Sequence, residues 1–115
     1  MKTSDDFISE AIRMALENVR SGNGGPFGAI IVKDGKIVGR GVNTVTASGD
    51  PTAHAEVNAI RDACKNLGDF QLTGCTIYTT CEPCPMCLSA ISSLRRSTLM
   101  ESCFTESYFK GDRIV

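Results

Sequence analysis

Three cysteines stand close together in the stretch TTCEPCPMC, residues 79–87, and a proline lies on each side of the middle cysteine. The stretch contains two overlapping C-x-x-C patterns, CEPC and CPMC. The first pattern is typical of a redox dithiol, and the second is typical of half a metal site. Both chemistries suit a segment between a predicted strand and a predicted helix. Other residues must therefore decide between them.

The redox interpretation explains less of the sequence. Thioredoxin-like proteins place a C-x-P-C at a helix start, where the helix dipole lowers the pKa of a thiol. That fold also uses a cis-proline further along the chain, and no proline follows Pro85 here. A dithiol would leave Cys87 without a role. A thiol oxidoreductase is therefore the weaker alternative.

The metal interpretation accounts for Cys84 and Cys87, which would lie one helical turn apart at a helix start that favours thiolates. No separate second C-x-x-C is present for a four-cysteine zinc site, and Cys103 is poorly placed as the fourth cysteine of an iron–sulfur site. The chain's one histidine, His54, opens another predicted helix and can supply a nitrogen ligand. Three protein ligands leave the fourth tetrahedral position to water, which is typical of a catalytic zinc.

Glu56 follows His54 by two residues at the same helix start. Its natural role is to move protons beside the water on the metal, because a carboxylate is a common general acid–base group. The residues therefore predict one Zn²⁺ per chain, with His54, Cys84 and Cys87 as ligands and water or hydroxide as the fourth. Glu56 is the predicted catalytic residue.

The apolar pattern predicts the elements that position these residues. They are a helix, two strands, a helix, a strand and a helix, at residues 4–21, 27–33, 37–43, 53–67, 76–80 and from about 84. The first two strands are predicted to form a hairpin. Asp34-Gly35 between them suits a tight turn with positive φ. The apolar run at residues 29–32 predicts a strand covered on both faces. The fold class is therefore α/β, with helices on each side of a sheet.

The same pattern makes finer predictions about faces and loops. Residues 44–52 are predicted to be a loop, and residues 97–100 a short strand before a tail without a clear period. The predicted buried stripe of the first helix is Ile8, Ala11, Ile12, Ala15, Leu16 and Val19. That of the second helix is Val57, Ile60, Cys64 and Leu67.

The bulk composition narrows the class of protein. A chain of 115 residues with 42% hydrophobic and 22% charged residues is typical of one globular domain, here residues 1–115. No apolar run approaches the roughly 18 residues that a membrane span needs, and the N-terminus lacks the apolar core of a signal peptide. A cytoplasmic location with reduced thiols is expected. The net charge of −1 gives no sign of the basic surface that binds nucleic acid, so a nucleic-acid partner is not expected.

Taken together, H-A-E at residues 54–56 and P-C-P-M-C at residues 83–87 resemble the H-x-E and P-C-x-x-C signature of zinc-dependent nucleobase deaminases. The resemblance to the cytidine deaminase-like superfamily covers residues 4 to about 100. Within it, GGPFGAIIVKDGKIVGRGVN, DPTAHAEVNAIRDACKNLG and YTTCEPCPMCLSAI are most similar to bacterial guanine deaminases and the related plant guanosine deaminases. The tRNA adenosine deaminases are similar around DPTAHAE but usually lack the first cysteine of CEPCPMC.

This resemblance implies a three-layer α/β/α sandwich with a mixed central sheet. It also implies hydrolytic deamination of a purine base, with guanine converted to xanthine and ammonia. Asn43, Phe27 and Ala55 are the implied substrate-binding residues: an amide against the purine edge, a ring stacked on the base, and a backbone group near the reacting centre. Cys81 is expected to pack beside the site. The alternative substrates are guanosine, cytosine, cytidine and adenosine in tRNA.

The resemblance weakens after Ser92. The segment ESCFTESYFKGDRIV does not match the later acidic and aromatic elements of guanine deaminases, which help to close the substrate pocket. A shortened C-terminal part is therefore expected, with an uncovered sheet edge that favours a homodimer. The alternative outside the enzymes is an inactive zinc-binding scaffold with an incomplete pocket.

Overall fold

The computed structural model describes residues 3–81, 84–92, 99–102, 109–110 and 113–114. The predicted order of elements is confirmed, with one short helix added in the predicted loop and two short strands added in the predicted tail. The helices are α1 (Ser4–Arg20), α2 (Val45–Ser48), α3 (Ala55–Leu67) and α4 (Pro85–Ser92). The strands are β1 (Gly28–Lys33), β2 (Lys36–Val42), β3 (Cys75–Thr79), β4 (Leu99–Ser102), β5 (Phe109–Lys110) and β6 (Arg113–Ile114).

All of these strands belong to one sheet with the order β2-β1-β3-β4-β5-β6. Strand β1 lies antiparallel to both β2 and β3, whereas β3 and β4 are parallel. Strands β4, β5 and β6 are again antiparallel to their neighbours. The sheet is therefore mixed, as expected from the resemblance.

Helices cover the sheet on both faces, which confirms the three layers. Ile30 and Tyr78 pack with Phe7 of α1 on one face. The neighbouring strand residues Ile31 and Ile77 point the other way and pack with α3 and α4. Successive side chains of a strand alternate between faces, so an apolar run without polar gaps requires cover on both sides.

The hairpin between β1 and β2 turns as predicted. Asp34 and Gly35 have φ angles of 52° and 75°, and Lys33 pairs directly with Lys36. Two successive positive φ angles match the twist of the flanking strands, which is why this turn favours Asp-Gly. The register shifts by one residue between Ile31 and Val32, and beyond that irregularity Gly28 at the start of β1 pairs with Val42 at the end of β2.

Helix α1 begins at Ser4, as predicted, but its buried face is only partly the predicted one. Thr3 caps the helix and forms a capping box with Asp6. The buried residues are Phe7, Ala11, Met14, Ala15 and Asn18, while Ile12, Leu16 and Val19 are exposed. A Cβ on Gly28 would overlap the carbonyl oxygen of Ala11, so the backbones of α1 and β1 lie close together at this point. Only small side chains fit there, while the larger Phe7 and Met14 pack elsewhere on the same face of the sheet.

Helix α3 also packs closely against the sheet through small residues. Its buried apolar residues are Ala55, Ala59 and Ala63, whereas the predicted Ile60, Cys64 and Leu67 are half-buried and pack around the edge of that cluster. Val57 is also half-buried. A Cβ on Gly41 of β2 would overlap the Ala55 carbonyl oxygen and lie 2.3 Å from the Ala59 nitrogen. Helix α3 therefore lies almost in backbone contact with β2.

This contact predicts that Gly41→Ala lowers the free energy of unfolding by about 3 kcal/mol or more, because backbone atoms must move to admit the methyl group. Gly74→Ala is the matched control: its φ is 78°, but apart from its chain neighbours no atom of the described residues lies within 4 Å of the added Cβ. The control should cost about 1–2 kcal/mol, from backbone strain alone. Urea denaturation of both variants measures the difference. Equal losses would contradict the close packing of α3 on β2.

Some boundaries and loops differ from the prediction. The predicted loop at residues 44–52 contains the short helix α2, and α3 begins at Ala55 rather than at residue 53. The predicted strand at residues 97–100 overlaps β4, which begins at Leu99, while residues 97–98 lie outside the described part of the chain. Pro83 and Cys103 also lie outside it. None of the helices described is long and apolar enough to cross a membrane.

Candidate functional site

Two helix starts on one face of the sheet meet at the candidate site. His54 has an extended backbone conformation and lies directly before α3, where its carbonyl accepts from Asn58 N–H at 2.9 Å. Cys84 lies directly before α4, and its carbonyl accepts from Leu88 N–H at 2.8 Å. Cys87 lies in the first turn of α4. The starts of α3 and α4 therefore bring three side chains that can bind a metal close together.

The three predicted ligands form one compact group. His54 Nδ1 lies 3.6 Å from Cys84 Sγ and 3.4 Å from Cys87 Sγ. All three ligand atoms lie within 4.8 Å of one another. In a tetrahedral zinc site, bonds of about 2.3 Å to sulfur and 2.0–2.1 Å to nitrogen place these atoms about 3.5 Å apart. The residues therefore fit a zinc ion with one position left open.

The electrostatics of the site also favour a cation. Glu56 is only 5% exposed, and burial raises the pKa of its carboxyl against the opposing hydrogen bonds from its own backbone N–H and from Cys87. Burial likewise raises the pKa of the Cys87 thiol, and the Glu56 carboxylate adds to this effect. Buried acids that face one another resist ionisation unless a positive charge is bound between them. A divalent cation would let the thiols act as thiolates.

A cavity of about 240 Å³ opens beside the three ligands. It is lined by all the predicted substrate-binding residues and by most of the predicted metal and acid–base residues: Phe27, Asn43, His54, Ala55, Glu56, Cys81 and Cys84. Its volume lies below the roughly 300–1,000 Å³ typical of pockets for drug-sized ligands. The cavity is therefore of a size suited to a small molecule.

Asn43 reaches this cavity from the end of β2. Its side-chain oxygen accepts a hydrogen bond from Val45 N–H at 3.2 Å, which fixes the amide plane. Among the described residues, no hydrogen bond occupies Asn43 Nδ2. The amide nitrogen is therefore the part of Asn43 that is open to a further hydrogen bond.

Asn58 is a site residue that the sequence analysis missed. Its Nδ2 donates to the Val42 carbonyl at 2.8 Å and lies 3.0 Å from Thr44 Oγ1 and 3.3 Å from the Ala53 carbonyl. One side chain of α3 thus holds the segment after β2 and the segment before His54. Its position one helical turn after His54 was the available signal, but its partners are backbone groups that no sequence pattern reveals.

Comparison with known proteins gives a consistent family assignment. The model of the cytidine and deoxycytidylate deaminase zinc-binding region matches residues 1–102. Guanine deaminase of Bacillus subtilis (strain 168) is 62% identical over 87 residues, which cover 76% of this chain and 56% of that protein. The tRNA-specific adenosine deaminase of Aquifex aeolicus (strain VF5) is 46% identical over 85 residues, covering 74% and 56%.

The X-ray structure of Bacillus subtilis guanine deaminase is also similar to this fold. The TM-score is 0.85 at 54% sequence identity, and the match covers 89% of this chain and 64% of that one. The chain thus spans between half and two thirds of the length of these relatives. The match to the family model, residues 1–102, includes both motifs that form the candidate zinc site. The chain therefore belongs to the family that carries the cytidine and deoxycytidylate deaminase zinc-binding region.

Proposed function

We propose that this protein catalyses the zinc-dependent hydrolytic deamination of a purine base, converting guanine and water to xanthine and ammonia. One observation carries the proposal: buried Glu56 shares a small cavity with the His54, Cys84 and Cys87 cluster. The similarity to a guanine deaminase supports the choice of substrate. Deamination of this kind needs an activated water and a group that moves protons.

In this proposal His54, Cys84 and Cys87 hold one zinc ion. When bound, the ion supplies a nucleophile at neutral pH, because it lowers the pKa of a water molecule from 15.7 to about 7. The two thiols and the imidazole serve only as ligands. Ala55 lies at the N-terminus of α3, where backbone N–H groups favour developing negative charge.

Glu56 has the role of proton carrier. Its carboxylate accepts a proton from water and delivers it to the ring nitrogen beside the amino-bearing carbon, while the hydroxyl oxygen bonds to that carbon. It then transfers the hydroxyl proton to the amino group. The carbon–nitrogen bond breaks, ammonia leaves, and a carbonyl remains on the ring. Burial suits this role, because a raised carboxyl pKa brings the group closer to the pKa values of its proton partners.

Asn43 and Phe27 are proposed to recognise the base. Asn43 Nδ2 would donate to an acceptor on the purine edge, and the ring of Phe27, which is 36% exposed, would stack on the base. A donor that is left without a partner inside a cavity disfavours ligands that lack the acceptor. Together these side chains would select a purine with an oxygen or nitrogen acceptor at that edge.

Asn43→Ala is expected to lower kcat/KM for guanine by about 10-fold to 100-fold, the effect of losing one well-placed hydrogen bond to the substrate. Asn43→Asp is the matched variant, since it keeps the oxygen that accepts from Val45 N–H but removes the donor. It should impair guanine turnover at least as strongly as Asn43→Ala. If Asn43→Asp kept full activity, the donor of Asn43 would not be needed and Asn43 would serve only to shape the loop.

The activity itself is tested by ammonia release from guanine, guanosine, adenine, cytosine, cytidine and a tRNA substrate with zinc-loaded protein. We expect the highest kcat/KM for guanine. Faster deamination of tRNA would instead favour the activity named for the Aquifex relative. No ammonia from any substrate, with zinc bound, would contradict catalysis and favour the inactive scaffold.

Domain organisation, assembly and location are also proposals. One sheet shared by all the described strands supports a single domain over residues 1–115. Exposed Ile12, Leu16 and Val19 on α1 support a homodimer, which light scattering at several protein concentrations would detect. Within the described part of the chain, Cys64, Cys75, Cys84 and Cys87 are not in disulfide bonds, which supports a cytoplasmic location.

A further inference from the structure

Asn18 is a buried polar residue on the face of α1 that packs against the sheet, with 4% of its surface exposed. Its Nδ2 donates two hydrogen bonds, to the Gly25 carbonyl at 3.0 Å and to the Asn43 carbonyl at 2.9 Å. These acceptors belong to two separate segments that reach the candidate cavity. Gly25 lies in the loop that leads to Phe27, and Asn43 follows β2.

The same two segments touch each other directly. Asn43 N–H donates to the Phe27 carbonyl at 3.4 Å. A Cβ on Gly24 would overlap the Asn43 carbonyl oxygen and would lie 3.2 Å from Asn18 Nδ2. The carbonyl of Asn43 is therefore held between a hydrogen-bond donor and a closely packed loop. The side-chain oxygen of Asn43 accepts from Val45 N–H in the same segment, which ties the amide to this backbone.

We propose that Asn18 is a positioning residue for recognition of the purine base. It fixes the backbone of Asn43 relative to Phe27, so that the amide and the ring contact the base together. Asn18 does not line the cavity and acts through Asn43. This inference rests on the proposed function, because it takes Asn43 as a ligand of the substrate.

The position of α1 separates this role from metal binding. Helix α1 packs on the face of the sheet opposite to α3 and α4, whose starts carry the zinc ligands and Glu56. A change at Asn18 should therefore affect the affinity for the base more than the rate of the chemical step. It should leave the zinc content unchanged.

The test is a double-mutant cycle in the full-length zinc-loaded protein with guanine as substrate. Asn18→Ala is expected to raise KM about tenfold, the effect of losing about one hydrogen bond, while kcat stays within about twofold. In the Asn43→Ala background the same change should raise KM little further, because the residue through which Asn18 acts is gone. Asn18→Asp, which is similar in size but lacks the donor, should behave like Asn18→Ala.

Ser21→Ala provides the control for a general loss of order at this end of α1. Ser21 Oγ donates to the Asn18 carbonyl at 3.0 Å, and within the described part of the chain it forms no hydrogen bond with the Asn43 segment. Its removal should leave KM unchanged. An equal rise in KM for Asn18→Ala in both backgrounds, or a fall in kcat at constant KM, would overturn the positioning role.

A readout that needs no turnover separates this inference from the proposed function. In the zinc-loaded protein, hydrogen exchange at the amides of Asn43 and Val45 should become faster in Asn18→Ala and stay unchanged in Ser21→Ala. Suppose that the wild-type protein releases no ammonia from guanine, while exchange is faster in Asn18→Ala and unchanged in Ser21→Ala. That result would contradict the substrate assignment and still support the structural coupling. Unchanged exchange in Asn18→Ala would overturn the coupling.

Discussion

Glu56→Gln is expected to lower kcat for guanine by about 100-fold to 10,000-fold, the usual contribution of one general acid–base residue. Glutamine has nearly the shape of glutamate, so the cavity and the packing around this 5%-exposed side chain should persist. The change removes only the ability to accept and return a proton. Steady-state kinetics, together with zinc content by elemental analysis, measures both parts of the expectation.

Glu17→Gln serves as the control, because Glu17 lies exposed on α1 and away from the zinc ligands. It should retain wild-type kinetics. The zinc content of Glu56→Gln should also match the wild type, since the three ligand atoms are on other residues. Turnover by Glu56→Gln within about tenfold of the wild type would contradict the proposed role of Glu56 in proton transfer.

Cys84→Ala is expected to weaken zinc binding by more than about 100-fold, because loss of even a residue that supports a ligand costs 10–100-fold. Stability should fall as well, since zinc that binds only the folded state stabilises it by about 2.7 kcal/mol at 100 times Kd. Added zinc should therefore raise the Tm of the wild type and not that of Cys84→Ala. Metal titration and thermal unfolding measure these effects.

Cys81→Ala is the matched control for Cys84→Ala. Cys81 lines the same cavity, but the group of possible metal ligands in the described part of the chain does not include it. The variant should keep a full complement of zinc and a zinc-dependent Tm. Loss of zinc in Cys81→Ala, or stoichiometric zinc in Cys84→Ala, would contradict the assignment of ligands.

The zinc site was predictable because its chemistry depends on a few residue types at helix starts. One histidine and one pair of cysteines at a predicted helix start offered few other arrangements. The structure brings His54, Cys84 and Cys87 together and places Asn43, Phe27 and Ala55 around the adjacent cavity. The sequence therefore predicted which side chains would meet, although their roles in substrate binding remain proposals.

The packing of the helices was less predictable, because the apolar pattern favours large side chains for the core. In α1 the spacing favours Ile12 and Leu16, yet the helix packs through Ala11 because Gly28 allows the two backbones to approach closely. Such contacts depend on which glycine faces which helix across the sheet. A periodic pattern within one element carries no information about this.

The roles of the asparagines that support the site were also not predictable from the sequence. Asn18 and Asn58 bond to backbone carbonyls, and every residue has a carbonyl, so residue types give no sign of these pairs. An asparagine within a helix is more often interpreted as a weak helix former than as a buried side chain that hydrogen-bonds two other segments. Only the three-dimensional arrangement identifies the segments that each amide joins.

The most direct test of the zinc site is X-ray diffraction from crystals of the purified protein, with anomalous data on both sides of the zinc absorption edge. We predict one zinc peak per chain, about 2.0–2.1 Å from His54 Nδ1 and about 2.3 Å from Cys84 Sγ and Cys87 Sγ, with no fourth protein ligand. Absence of the peak in zinc-supplemented crystals, or a fourth protein ligand that closes the site, would contradict the proposed catalytic centre.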